Sequence, residues 1–325
     1  MKKRFDVVAL GELLIDFTEY GVSEPGNPLW EANPGGGSAN LLGMLSKLGK
    51  KTAFICKVGR DVYGRQLEGT LQEAGIDTSG LRWDDKIHTT LAIVGRLPNG
   101  DRDFAFYRDP GADMMLREEE VPYELIEDCR IFHFGTLSMT HPGVRAATER
   151  AVRTAREAGA VISFDPNLRM PLWPSEEAAR AAIEWGLGAC DILKIADNEL
   201  LFMTGEEDFD KGVAVLRAKY PQLRLINVTA GPEGSYSYYE GLRVFEPSFL
   251  LGGTVDTTGA GDVFGACVLK DILENGLDGR TEAGLREMLR FANAAAYLVT
   301  TKKGAMRSVP NLEQILEITA TRQQA

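Results

Sequence analysis

The sequence predicts an α/β fold, with a mainly parallel β-sheet covered by helices on both faces. Two observations carry this. Short apolar runs alternate with longer stretches of helical spacing, which is the rhythm of β-α-β units. The chain has 325 residues, of which 44% are hydrophobic and 26% charged. That is enough to bury a large core without disulfides or a structural metal. The length suggests two units, or one large domain carrying an insertion.

Phe5–Leu10 (FDVVAL) is a compact apolar run and reads as the first strand. Ala39–Leu48 has helical spacing and stops at Gly49. Ala53–Val58 is strand-like, and Asp61–Ala74 is helical up to Gly75. The short apolar runs Arg130–Phe134 and Val161–Phe164 flank a helical stretch, Arg145–Ala158. Asp191–Lys194 and Leu223–Thr229 read as buried strands, and Ala260–Leu273 and Glu282–Val299 as the last long helices. Two segments break the rhythm. Leu13–Tyr20 alternates weakly and leads into a Gly/Pro/Asn-rich stretch up to Pro34. Thr89–Arg108 reads as a hairpin turning at Asn99-Gly100. These pieces form either a small sheet beside the main domain or an edge hairpin without a function, and geometry alone leaves both open.

Charge and composition exclude several classes. With 36 Lys+Arg against 47 Asp+Glu, the net charge is −11. An acidic chain without a basic cluster is a poor general binder of nucleic acid or anionic membrane. No apolar run approaches the roughly 18 residues needed to span a bilayer. After Met1-Lys2-Lys3-Arg4 the apolar stretch is broken by Asp6, Glu12 and Asp16, so export is not expected. Cys56, Cys129, Cys190 and Cys267 lie far apart in apolar segments, as reduced core residues of a cytosolic, cytoplasmic protein would. His88, His133 and His141 lack zinc-site spacing.

The 35 glycines exceed the roughly 7% of an average chain, and they cluster. Gly35-Gly36-Gly37-Ser38-Ala39-Asn40 runs straight into a helix. Glycines there let a ligand approach the backbone, and Asn40 offers an amide donor and acceptor to hydroxyl groups. A mobile loop with a helix cap is the plainer alternative. The second cluster, Val255-Asp256-Thr257-Thr258-Gly259-Ala260-Gly261-Asp262, also opens a helix. Its unpaired N–H groups at the positive end of the dipole make an anion site suited to phosphate. Asp262, in the first turn, is either a dipole-stabilising cap or a general base beside that site. No G-x-x-x-x-G-K-S/T run occurs, and Gly11-Glu12-Leu13-Leu14 is not G-x-G-x-x-G, so P-loop and dinucleotide fingerprints are absent.

From about Phe5 to Pro310 the sequence resembles the ribokinase-type (PfkB) carbohydrate kinases. Both glycine clusters match that family's signatures in order and separation, and Val58-Gly59-Arg60-Asp61-Val62-Tyr63-Gly64 is similar to its VGxDxxG segment. Three further stretches resemble the fructokinases of the family. They are Phe104–Asp113 (FAFYRDPGAD), Asp165–Trp173 (DPNLRMPLW) and Thr300–Ala305 (TTKKGA). The resemblance implies a three-layer αβα ribokinase-like, Rossmann-like fold with a small β-sheet lid. The core would comprise 1–12, 33–88 and 109–325, and the lid 13–32 and 89–108. The chain departs from the family at Ala196, where an Asn-x-x-Glu motif usually starts, although Glu199 is present. Ribokinase itself carries Lys at the position of Gly37 and a sugar-contacting Glu in the strand that here ends His133-Phe134-Gly135, so ribose is disfavoured.

The family also implies roles. Asp262 would take the proton of the attacking sugar hydroxyl, and the N–H groups of Gly259, Ala260 and Gly261 would hold the transferred phosphoryl group. Asp16, Gly36, Gly37 and Asn40 would hold the sugar, with Phe106 over it and Arg108 and Arg169 as ligand-reading cations. Lys194, Thr229, Gly231, Gly234 and Asn293 would bind ATP, although Asn293 also suits a helix-packing role. Glu199 would stand in the outer shell of Mg2+. Asp256, Thr258, Val299, Gly304 and Ser308 would surround a monovalent cation, K+. A homodimer formed through the lid is expected, with Trp30 and Phe106 at the interface or over the sugar. The expected reaction is ATP-dependent phosphorylation of fructose. Its rivals are a 2-keto-3-deoxygluconate (sugar-acid) kinase and a non-catalytic sugar sensor on the same fold.

Overall fold

The structure is a computed structural model that describes residues 3–96 and 102–321. The Asn99-Gly100 turn falls outside those residues. The chain begins β1 (Phe5–Leu10), β2 (Leu14–Val22), β3 (Pro28–Gly35), α1 (Gly37–Lys47), β4 (Thr52–Gly59), α2 (Val62–Glu73) and β5 (Leu81–Asp84). Next come β6 (Leu91–Arg96), β7 (Arg102–Tyr107), α3 (Tyr123–Glu127), β8 (Cys129–Gly135), α4 (Pro142–Glu157) and β9 (Val161–Asp165). These are followed by α5 (Glu176–Ala189), β10 (Ile192–Ala196), α6 (Asp197–Thr204), α7 (Phe209–Lys219) and β11 (Leu225–Thr229). The edge hairpin β12 (Gly234–Tyr239) and β13 (Leu242–Pro247) precedes α8 (Ala260–Asn275), α9 (Glu282–Thr300) and α10 (Leu312–Thr321).

Helix starts follow local chemistry. Asp61 accepts from Gly64 N at the head of α2, Ser175 from Ala178 N at α5, and Asp208 from Lys211 N at α7. Nine strands form one sheet in the order β13-β12-β11-β10-β9-β8-β1-β4-β5. Its pairs are parallel except for the antiparallel β11–β12 and β12–β13. Because side chains alternate along a strand, the sheet feeds two cores. Val7, Phe54, Ile131 and Leu225 pack with α1, α2, α8 and α9 on one face. Val8, Ile55, Phe132 and Ile226 pack with α4, α5 and α7 on the other. The architecture is therefore a three-layer αβα sandwich around a mainly parallel sheet.

A second sheet of four strands, β3-β2-β6-β7, stands beside it. Its outer pairs are antiparallel, and β2–β6 is parallel. The two irregular segments of the sequence thus meet in one sheet. β3 continues to Gly35, which pairs with Leu14, so this sheet runs past residue 32 where the sequence suggests a boundary. Pro28 and Pro34 hide the strand pattern there, and proline is tolerated because β3 is an edge strand. Among the described residues no helix is long and apolar enough to cross a membrane. The four cysteines are buried and free.

Candidate active site

The sandwich places the carboxyl ends of β8 to β11 under the small sheet, and a cavity of about 470 Å³ lies between them. Crevices at strand carboxyl ends are where open α/β sheets bind ligands. Asp16 on β2 and Phe106 on β7 reach it from the small sheet, and Gly36, Gly37 and Asn40 from the start of α1. The glycines there have steric causes. Gly36 has φ 120°, and a Cβ would stand 2.4 Å from the Glu12 carbonyl. A Cβ at Gly37 would stand 2.4 Å from Asn167 Nδ2 and 3.2 Å from Asp262 Oδ1.

α1 and α8 pack side by side, and this brings the two glycine clusters together. Asn40 Nδ2 donates to Asp262 Oδ2 at 2.8 Å. Asn40 Oδ1 is buried without a hydrogen-bond partner. A buried bare acceptor is costly, so this atom suits an incoming hydroxyl. Asp262 is the third residue of α8, whose cap Gly259 has φ 82°. Burial and the nearby Asp165 push its carboxyl up to about 6, against the Asn40 hydrogen bond and the Lys194 ammonium. A group of that pKa can accept a proton near neutral pH. Gly259, Ala260 and Gly261 line the cavity beside it. Ala260 N donates to the Thr257 carbonyl at 3.3 Å. Among the described residues nothing accepts from the amides of Gly259 or Gly261. The helix start therefore presents open donors to an anion.

At the other end of the cavity lie Thr229 from β11, Gly231, Gly234 and Asn293. The Asn293 side chain is already engaged. Its Nδ2 donates to the Glu246 carbonyl at 2.9 Å, and its Oδ1 accepts from Ser235. Lys194 lines the floor, within 3.3 Å of both Asp165 oxygens. Arg169 is exposed at the mouth, and its guanidinium donates to the Leu168 carbonyl at 3.1 Å.

Three sequence-predicted residues sit elsewhere. Arg108 does not reach the cavity. Its guanidinium forms a buried pair with Asp113 at 2.6 Å and donates to Thr140 Oγ1 and the Leu137 carbonyl. Four of its five N–H groups are engaged in this way, which ties the guanidinium to Asp113 and away from the cavity. Val299 is fully buried in α9, with its carbonyl bonded to Lys302 N. The Ser308 hydroxyl donates to the Ala305 carbonyl. Of the five residues expected around a monovalent cation, Asp256, Thr258 and Gly304 line the cavity. Trp30 is 40% exposed on β3 and does not line it.

Conversely, the cavity includes groups to which the sequence assigns no role. Glu12 is buried, and its Oε1 accepts from Gly37 N at 2.6 Å. Burial pushes its carboxyl up to about 7. Asn167 takes a left-handed φ of 45°, a conformation asparagine tolerates better than most residues. Asn167 stands in the DPNLR stretch and was visible in that motif. Glu12 carries no such signal, since a lone glutamate after a strand is common.

A pfkB family carbohydrate kinase model matches residues 4–312. The chain belongs to the pfkB family of carbohydrate kinases. Relatives within it include probable fructokinase-3 of Arabidopsis thaliana, 41% identical over 94% of this chain and 88% of its own. Fructokinase-1 of Zea mays is 40% identical over 96% of this chain and 97% of its own. Among solved structures, fructokinase of Xylella fastidiosa with bound ATP superimposes with a TM-score of 0.89 at 28% identity, covering 98% and 99% of the two chains.

As a pfkB-family carbohydrate kinase, the chain is a phosphotransferase with an alcohol group as acceptor. Magnesium fits this pfkB site only as an ion brought by phosphates. Among the described residues no group of three or more His, Cys, Asp or Glu side chains is arranged to hold a metal. Magnesium keeps several waters and needs few protein ligands. The Glu199 carboxylate suits an outer position. It is fixed at the cavity wall by Leu168 N at 2.7 Å and Ala196 N at 2.8 Å.

Proposed function

We propose that this chain transfers the γ-phosphoryl group of ATP to the primary hydroxyl of fructose, giving fructose 6-phosphate and ADP. The observation that carries it is the meeting of Asn40, Asp262 and the open amides of α8 in one cavity. Identity of about 40% to fructokinases over nearly the whole chain supports the sugar. A Vibrio cholerae fructokinase in its fructose-, ADP- and calcium-bound form superimposes with a TM-score of 0.85.

In this mechanism Asp16, Gly36 and Asn40 hold the sugar hydroxyls, with Asn40 Oδ1 accepting from one. Asp262 orients the attacking hydroxyl and takes its proton as the new P–O bond forms and the bond to the ADP oxygen breaks. The Gly259 and Gly261 amides hold charge on the transferred group, with Ala260 joining if its bond to Thr257 yields. Thr229, Gly231 and Gly234 border the nucleotide. Magnesium, when bound, would neutralise phosphate charge, and Glu199 would hold its outer-shell waters. Potassium beside Asp256, Thr258 and Gly304 would stiffen the α8 turn. The small sheet acts as a lid that excludes water, the competing acceptor.

Exposed Tyr20, Val22 and Tyr107 on that sheet support a homodimer. Sedimentation of the wild type and of Tyr107→Lys at equal concentration tests it. The buried free cysteines support a reducing, cytoplasmic setting.

The decisive assay couples ADP release to substrate across ketoses, aldoses and sugar acids. A kcat/KM for fructose well above that for 2-keto-3-deoxygluconate is expected. A preference for the acid would overturn the proposal. A two-arginine clamp on a carboxylate is weakened here, because Arg108 is tied to Asp113.

A further inference from the structure

The floor of the cavity carries a charge pair in which only Lys194 has an expected role, at the nucleotide, and Asp165 has none. Side chains alternate along a strand, so Lys194 and Ala196 share one face of β10, and both line the cavity. Ala196 occupies the position where the family resemblance implies asparagine, and it has no polar side-chain atom. Lys194, one pleat earlier, brings an ammonium to the same face. Its Nζ lies 3.3 Å and 3.2 Å from the two oxygens of Asp165. On the other side, a Cβ added at Gly261 would lie 3.0 Å from that Nζ. The ammonium therefore sits between the end of β9 and the first turn of α8. Only 12% of the Lys194 side chain and 8% of the Asp165 side chain are exposed. A buried ammonium needs a partner to stay charged, and Asp165 supplies it. Asp165 is itself held, since its Oδ1 accepts from Asn167 N at 3.1 Å.

We infer that Asp165 is a positioning residue, which aims the Lys194 ammonium at the phosphoryl group over Gly261 and so replaces the side-chain donor missing at Ala196. This rests on the kinase reading and deepens it. Lys194 touches the transferred group, and Asp165 acts through Lys194.

The groups facing Asp262 are Asn40 from α1, Asp165 from β9, Lys194 from β10 and Arg169 from the loop after β9. Glu12 and His133 border a small adjoining cavity with it. Asp165 and Lys194 act on Asp262 with opposite signs, so their variants should move the acid limb in opposite directions, while the kcat coupling and the Ala196→Asn rescue separate positioning from a purely structural ion pair.

The test measures kcat, both KM values, thermal stability and pH–rate profiles for Lys194→Met, Lys194→Arg, Asp165→Asn and the double Asp165→Asn/Lys194→Met. The expected result is a roughly hundredfold fall in kcat for Lys194→Met, with fructose KM within about twofold. Asp165→Asn should lower kcat about tenfold, and should lower it no further when Lys194 is already Met. The acid limb should move down in pH for Asp165→Asn and up for Lys194→Met. Adding Ala196→Asn to Lys194→Met should recover part of kcat. If Asp165→Asn alone is too unstable, the double variant removes both charges and its kcat should match that of Lys194→Met. Wild-type kcat in folded Lys194→Met, or additive losses without rescue by Ala196→Asn, would overturn the inference. A wild type that phosphorylates no sugar would instead defeat the kinase reading itself.

Discussion

Asn40 Nδ2 and Asp262 Oδ2 lie 2.8 Å apart although 222 residues separate them in sequence. That bond joins the two glycine clusters and opposes the burial that raises the Asp262 carboxyl. In the proposed mechanism one asparagine would serve two ends, its donor tuning Asp262 and its bare acceptor left for the sugar.

The pH dependence follows directly. As the proposed base, Asp262 would have to be ionised to accept a proton, and its carboxyl is raised to about 6. kcat/KM should therefore fall about tenfold per pH unit below about 6. Asn40→Ala removes a hydrogen bond that lowers this pKa, so its acid limb should move to higher pH, with a weaker sugar KM. A pH–rate profile of both proteins checks the direction.

Asp262→Asn keeps the shape of the side chain and removes the base. kcat should drop on the order of 10²–10⁴-fold, with fructose binding by calorimetry nearly unchanged. Turnover at the wild-type rate would reassign Asp262 as a helix cap.

Gly37→Ala places a methyl 2.4 Å from Asn167 Nδ2. The Asn167 loop must shift, and fructose KM should rise more than ATP KM. Steady-state kinetics with each substrate varied in turn distinguishes the two.

Arg108→Met should act on stability rather than on sugar recognition. It leaves the Asp113 carboxylate, 2% exposed in the pair, buried without its partner, a change that costs about 3–5 kcal/mol. Thermal and urea melts should reveal the loss, while fructose KM in the surviving folded fraction stays near wild type.

Glu12 gives a second pH test. Its folded-state carboxyl is raised to about 7 from an ordinary value of 4.5, so the folded protein binds this proton more tightly than the unfolded chain. Its contribution is complete below about pH 4.5 and is lost as pH rises through 7. Glu12→Gln keeps the acceptor for Gly37 N and removes the charge. Its Tm should gain on the wild type as pH rises from 5 to 8, and a flat difference would place the proton elsewhere.

What the sequence determined by itself was local in origin. Apolar periodicity placed β1 at its observed bounds and α9 within one residue of them. The glycine runs placed both turns that line the cavity, because glycine is demanded by backbone geometry that neighbouring residues set. The tertiary structure decided what those local signals cannot encode. Arg108 stands in a fructokinase-like stretch, yet Asp113 and the Leu137 carbonyl, packed around it, turn its guanidinium inward. Val299 and Ser308 are likewise claimed by nearby backbone groups. β12 and β13 went unread because an antiparallel edge hairpin does not follow the β-α-β rhythm. Glu12 and Asp165 gain their meaning only from the groups packed against them, and the Lys194–Asp165 pair is visible only in the tertiary structure. The direction in which a side chain points, and whether its charge is free or spoken for, depend on contacts between distant elements. Those contacts are set by packing the two faces of the sheet, and no local pattern records them.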